Sequence, residues 1–562
     1  MRIREDRGIK CLVSVAAKLG AMILLTLAFG TLEQAYATTY YIAANGSDSN
    51  NGTAKATPWL HAPGMPKCSN LCASTTPHPG DSFILRGGDT WHSANSSSSP
   101  YIGGTWTWSW SGSATNCDFD NMLQSSCIYI GVDTSWFSGA SWARPAINMD
   151  NPIRSTLIPL GQHCAYDQTN GPIGLSVQAN YVTVDNFEFY GHCHEGIPNT
   201  LSGSYTLRNG NYITIEDSYF HGWSELNNPQ PEGQPGFDKS YFIGTASSTQ
   251  RHNVISHNVF DGSDSYCVGD SQCSGQVVYI DSYVFEYNVC RYVAGCQGAA
   301  SVQCKTHDNL YENMYESFDT PSHGDIDFSY GNAGACSTLA FYNNVIRNTN
   351  IGQSIALSAP SGGSLYVFNN VFWGVGNSVN CLVMTNQDTT NVTAYVTNNT
   401  FDAPCTAVNT MNNNNLVYFH GTIHYANNHF IGYSPQQLSS VYDLGSNPNV
   451  TVADDGNEVF QSEATANGQG YASSNNYQPT STSGATYQAG KNLSSSCAAY
   501  SSDSALCRGS TGGVTNTAAN GNVPAPYISN PASRGTAWDV GAYQYQIDPP
   551  PDPPSGLSAV VE

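Results

Sequence analysis

Phe341-Tyr342-Asn343-Asn344-Val345-Ile346 is one copy of a phrase that returns as Val367-Phe368-Asn369-Asn370-Val371-Phe372 and as Val396-Thr397-Asn398-Asn399-Thr400-Phe401. It appears again as Tyr425-Ala426-Asn427-Asn428-His429-Phe430. Looser copies come earlier, around Asn186 (VDNFEF), Asp217 (IEDSYF), Asn258 (ISHNVF), Asn288 (FEYNVC) and Asn309 (THDNLY). Successive copies are 21 residues apart at the closest, Asn288 to Asn309, and 41 at the widest, Asp217 to Asn258. Self-similarity at this period marks a solenoid, in which a repeat buries its apolar face only by stacking on its neighbours. Each phrase follows an alternating run such as Tyr181-Val182-Thr183-Val184 or Leu365-Tyr366-Val367-Phe368, so the unit is a strand. Asn suits the turn after it, because it tolerates left-handed backbone and hydrogen-bonds locally. Stacked over successive coils, such amides can satisfy one another. The expected class is all-β: a right-handed parallel β-helix with the repeated Asn at one corner and an amino-terminal cap region.

The two ends of the chain read differently. Arg2, Arg4, Arg7, Lys10 and Lys18 precede an apolar run from Ala21 to Phe29, and Ala35-Tyr36-Ala37 supplies a small-x-small cleavage pattern. Residues 1–37 are therefore predicted to be a secretory signal, cleaved near Ala37. The apolar run is short for a membrane span, so no membrane insertion is expected. Residues 38–546 form the expected solenoid, with cap and first coils over 38–170, regular coils over 171–433 and irregular coils over 434–546. The proline run Pro549 to Pro554 opens a tail, 547–562, that reads as a semi-rigid linker.

Composition fits an extracytoplasmic protein, and a monomer is expected. Of 17 Cys, Cys11 lies in the signal, and an even number remains. In a secreted chain that favours disulfides, with Cys117–Cys127, Cys267–Cys273, Cys381–Cys405 and Cys497–Cys507 as the short-range pairs. Lys and Arg number 19 against 42 Asp and Glu, a formal net charge of −23. Such a surface repels nucleic acid and anionic membranes. It also disfavours a polyanionic substrate unless a cation such as Ca²⁺ intervenes.

Thr39-Tyr40-Tyr41-Ile42-Ala43-Ala44-Asn45-Gly46-Ser47-Asp48 leads through Asn50-Asn51-Gly52-Thr53 to Pro58-Trp59, and Pro79-Gly80-Asp81 follows before Ser82-Phe83-Ile84-Leu85. This order resembles the opening of secreted right-handed parallel β-helix proteins of the pectate-lyase-like superfamily. Asp539-Val540-Gly541-Ala542-Tyr543 resembles their closing strand. The resemblance implies the fold and a polysaccharide partner. It leaves the activity open among polysaccharide lyases, glycoside hydrolases, epimerases and non-catalytic surface proteins. The Asp-rich signature of polygalacturonase-type hydrolases and the Arg-containing signature of calcium pectate lyases are not found, so no catalytic residue is carried over.

Site candidates come from local chemistry instead. In Ser322-His323-Gly324-Asp325-Ile326-Asp327-Phe328 the alternation puts His323, Asp325 and Asp327 on one face and Ile326 and Phe328 on the other. Gln303, Lys305 and His307 alternate in the same way about one turn earlier. Adjacent coils would then present Lys305, His307, His323, Asp325 and Asp327 together, a mixture of acid, base and cation. A lyase would use Lys305 or His307 as base with a cation on the uronate; a hydrolase would use Asp325 and Asp327. The bland reading is a turn at His307 and a solvated edge at Asp325 and Asp327. Asp238 and Lys239 end an irregular Pro-rich stretch expected to flank the groove, where they would reach substrate or form a loop salt bridge. Trp106, Trp108 and Trp110 form a one-sided stripe: exposed, a stacking platform for sugar rings; buried, a plug at the amino end. His192 and His194 flank Cys193 before Glu195, a set that could bind a transition metal if Cys193 were not in a disulfide, with Cys164 or another Cys. A non-catalytic adhesin or carbohydrate-binding solenoid is the alternative to an enzyme.

Overall fold

The computed structural model describes residues 37–117, 125–154, 158–159, 162, 164–166, 174–194, 204–225, 240–245, 252–265, 276–279, 282–293, 295–297, 304–314, 325–330, 338–349, 353–359, 362–376, 380–386, 391–402, 404–412, 417–434, 449–500, 505–514, 528–531 and 533–545. Within the compact unit Thr39–Glu562, three long sheets dominate, of 13, 12 and 10 strands. Their strands pair in parallel throughout. One coil shows the plan: Val182–Asp185 lies in the first sheet, Glu188–Tyr190 in the second and Ser204–Asn209 in the third. The chain then re-enters the first sheet at Ile213–Glu216, directly beside Val182–Asp185. The molecule is a parallel β-helix, whose right-handed sense is the one that twisted parallel strands favour.

Stacking places like residues in columns about 5 Å apart, the spacing between hydrogen-bonded strands. Inside the second sheet one column runs Phe189, Phe220 and Phe260, and farther along Phe372, Phe401, Phe430 and Phe460. Ring centroids in it are 5.0 Å apart for Phe189–Phe220 and 5.0 Å for Phe372–Phe401. At the amino end the core is filled by Trp59, Trp91, Trp106 and Trp108, all buried.

The doubled Asn of the repeat encodes two jobs. Asn343, Asn369, Asn398 and Asn427 take positive φ and make the corner between the first and second sheets. The second Asn of each pair turns inward. Its Oδ1 accepts the backbone N–H of the equivalent residue one coil earlier, in an unbroken series from Asn258 through Asn288, Asn309, Asn344, Asn370 and Asn399 to Asn428. Its Nδ2 donates to a carbonyl of the preceding coil, as Asn370 does to Phe341 at 3.0 Å. Asn186 and Asp217 do not belong to this inner ladder, contrary to the sequence expectation. They occupy the left-handed corner position, at φ 65° and 51°. The ladder places fall one residue later, at Phe187 and Ser218. Ser218 Oγ accepts Phe187 N–H at 3.1 Å, and Ser218 N–H donates to Asn258 Oδ1 at 3.0 Å. Ser218→Ala strands the buried Phe187 N–H, so thermal unfolding should show a loss of about 1–2 kcal/mol. An unchanged midpoint would mean that another group reaches that donor.

Parallel strands of the first and second sheets continue through Val450–Gly456 and Val459–Gln461, while the third sheet ends at Thr406–Asn409. The chain that follows packs on the outward faces. Cys497, Ala505, Leu506 and Trp538 cover Ala340, Tyr342, Tyr366 and Phe368 of the first sheet. Disulfides join Cys68–Cys72, Cys117–Cys127, Cys164–Cys193, Cys290–Cys296, Cys381–Cys405 and Cys497–Cys507. Cys267 and Cys273 lie outside the described residues.

Candidate functional site

The strand Lys305–His307 belongs to the first sheet, between Ser282–Glu286 and Thr338–Tyr342. Asp325–Tyr330 belongs to the third sheet, between Gly295–Gln297 and Gln353–Ala359. The expected pairing of their outward faces therefore does not form. The second-sheet strand Leu310–Glu312 lies between them in the chain, and two corners separate them. Strand alternation tells which side of a strand a residue takes, but not which sheet the strand joins. His323, Asp238 and Lys239 lie outside the described residues. Trp106 and Trp108 are corrected as sugar platforms: both are fully buried, their indole N–H groups donating to the Pro63 and Trp110 carbonyls. His192 is likewise buried and Cys193 is bonded to Cys164. Among the described residues no group of three or more His, Cys, Asp and Glu is arranged to hold a metal ion.

Lys305 and His307 lie on the outward side of the first sheet, and His307 has partners other than those expected. Register places Asp185, Glu216, Ser256, Glu286 and His307 in one outward column of the first sheet. The next column strand carries Tyr342, already under the carboxy-terminal segment. In the corner beside the column stand Asp217, His257 and Asp308, all at positive φ.

The groups in this column are held in different protonation states. Burial pushes the Glu216 carboxyl up to about 8, and the neighbouring charges of Asp185, Asp217 and Glu286 push the same way. Asp185 rises to about 6, chiefly by burial, although it accepts the Tyr129 hydroxyl. Glu286 goes the other way. Burial works against its charge, but His307 Nε2 at 3.1 Å overrides that and holds it below the ordinary carboxylate value. His307 also contacts Asp308 through Nδ1 at 2.8 Å; the two carboxylates outweigh its desolvation and raise it to about 9. Ser256 Oγ donates to Glu286 Oε1 at 3.1 Å.

The second sheet provides a contrast. Its outward column runs His221, Asp261, Arg291, Glu312 and Arg347, so signs alternate. Arg291 meets Asp261 at 2.6 Å, Arg347 meets Glu312 at 2.5 Å, and His221 bridges Glu188 and Asp264. That is a structural ladder of compensated charge. In the first sheet, Asp185 and Glu216 face each other on adjacent strands, and the charge of Arg144 acts on Asp185.

The phrases VDNFEF, IEDSYF and FEYNVC already contain Asp185, Glu216 and Glu286. Aligning the copies on the inner ladder position, rather than on the first Asn, would have put them in one column.

No protein-family model and no curated protein matches the chain. Among solved structures it is similar to the pectate lyase Pel9A, at 16% identity and TM-score 0.40 over 91% of this chain and 96% of that one. It is also similar to a rhamnogalacturonan lyase, at 13% and 0.35 over 75% and 87%. A lacto-N-biosidase from Eubacterium ramulus gives 12% and 0.34 over 76% and 67%. At these values the reading of the site rests on its own geometry.

Proposed function

We propose that this protein is a secreted carbohydrate-active enzyme that hydrolyses an extracellular polysaccharide on the outward face of the first sheet. Glu216 is the proton donor and Glu286 the base. One observation carries the reading: two carboxyls in a single outward column, two coils apart, are held in opposite protonation states. Environments that push two titratable groups apart are how acid and base roles are divided.

Glu286 takes a proton from water, whose oxygen forms the new bond at the anomeric carbon. The glycosidic bond breaks, and its oxygen leaves with the proton of Glu216. Two strand spacings put the backbones about 10 Å apart, which leaves room for that water and favours inversion. His307, cationic at neutral pH and held by two carboxylates, positions Glu286 rather than acting as a base.

The test is a polysaccharide panel read for reducing ends and for unsaturated products. New reducing ends without unsaturation, with the first-formed anomer inverted, are expected. Unsaturated ends would replace hydrolysis by elimination, and a retained anomer would move the pair to Asp185 and Glu216, one spacing apart. His307→Gln removes the cation that keeps Glu286 ionised, so burial should raise that carboxyl and move the acidic limb of the rate profile to higher pH. A limb that stays in place would show that another group sets it.

A further inference from the structure

The outward column of the first sheet changes character just past His307. The Glu286 and His307 side chains are 21% and 8% exposed, whereas Tyr342 and Phe368, the next two places in the column, are 1% and 0% exposed. All four lie on the side of their strands away from the core, where alternation alone would leave them in solvent. What covers the last two is the chain's own carboxy-terminal segment. Cys497, Ala505, Leu506 and Trp538 pack on Ala340, Tyr342, Tyr366 and Phe368. This cover is fastened to the solenoid. Arg534 is 2% exposed, and its guanidinium donates to Asn369 Oδ1 at 2.9 Å, to the Ala542 carbonyl at 2.9 Å and to the Leu506 carbonyl at 3.1 Å. Asn427 Nδ2 donates to the Lys491 carbonyl at 2.9 Å, and its carbonyl accepts the Gly541 N–H at 2.8 Å. Toward the amino end, by contrast, the outward residues Glu216, Asp185, Tyr129 and Tyr41 all keep partial exposure.

The cover stands close to the reacting groups. Glu286, His307 and Tyr342 are register partners on successive strands, so two spacings, about 10 Å, separate Glu286 from it. An extended pyranose chain advances by about one strand spacing per ring, so one or two rings fit between. In the other direction the sheet continues from Glu216 through four more strands, the last being Thr39–Ile42.

Which part of the glycan meets the cover follows from the displacement. Water on Glu286 attacks the anomeric carbon on the side opposite the departing oxygen, which faces Glu216. The ring that owns the anomeric carbon, with any unit preceding it, therefore lies on the Glu286 side. The rest of the polymer, joined through the departing oxygen, runs past Glu216 toward the amino end.

We infer that the carboxy-terminal segment is the end wall of the glycan site, so that the enzyme acts at the non-reducing end of its polysaccharide and releases a mono- or disaccharide at each turnover. This rests on the assignment of Glu216 and Glu286 as acid and base.

The experiment uses cello-, xylo-, manno- and galacturono-hexasaccharides, each carrying a fluorescent label at the reducing end. Cleavage is read as the size of the labelled product over time, and binding of any hexamer left uncut is read by fluorescence anisotropy. The labelled chain should shorten stepwise, with only unlabelled mono- or disaccharide released. A bulky ether on the non-reducing terminal unit should lower the rate about tenfold or more, as a clash with a fixed wall dictates. Trp538→Ala removes the largest side chain of the cover and should add longer unlabelled products. If that variant does not fold, the wild-type pattern decides alone. Internal cuts among the first products, or early loss of the labelled end, overturn the inference and leave hydrolysis standing. An unchanged pattern in a folded Trp538→Ala overturns it too. Binding without cleavage that the ether weakens supports the wall and defeats the hydrolytic reading. Binding that the ether leaves unchanged, or binding of no hexamer, overturns the inference.

Discussion

Glu216→Gln lowers the rate of reducing-end release by about a thousandfold, within the range of losing a positioned acid, and Glu286→Gln lowers it by a similar factor. Both variants should keep the wild-type circular dichroism, because neither side chain points into the core. The wild-type rate should fall as pH rises through about 8, where Glu216 loses the proton it must donate. It should fall again in acid, below the ordinary carboxylate range, where Glu286 is protonated. Stability carries the same sign. A carboxyl raised on folding favours the folded state less as pH climbs from its ordinary value toward about 8. Glu216→Gln should therefore unfold at higher denaturant than the wild type above pH 8. A fully active Glu216→Gln would place the acid elsewhere, with Asp185 the next residue to test.

Asn370→Ala should cost about 3–5 kcal/mol, more than any single surface change. Its Oδ1 accepts the Asn344 N–H at 3.0 Å and the Asn344 amide at 3.1 Å. Its Nδ2 donates to the Phe341 carbonyl and to Asn399 Oδ1, each at 3.0 Å. Asn370 is 0% exposed, so no water replaces these bonds without entering the core. Removing the amide leaves donors and acceptors of the two flanking coils unmet at once. The loss should be read from urea titration by two probes, since long repeat arrays can unfold in stages. A shift as small as that expected for Ser218→Ala would show that the ladder orders the corner without bearing much of its stability.

The sequence by itself determined the solenoid, its strand-built coils and the corner. These follow from local chemistry repeated in register: alternating apolar residues need a face to bury, and Asn tolerates the left-handed turn. Even so, Asn186 and Asp217 were indistinguishable from Asn258 in one dimension, because a one-residue offset at a corner changes the role from turn to ladder without changing the residue type. Disulfides between near neighbours such as Cys117 and Cys127 were legible because few residues separate them. The site was not. Lys305 and His307 stood out as charges on an alternating strand. The partners of His307, Glu286 and Asp308, became so through register and through the corner. Asp325 and Asp327, near in sequence, went to another sheet. Only the tertiary structure decided this, because stacking joins residues a whole coil apart, and coil length varies along the chain. The same stacking makes Asp185, Glu216 and Glu286 one column, and burial of all three together with the His307 contact to Glu286, which no single strand can supply, splits their protonation states.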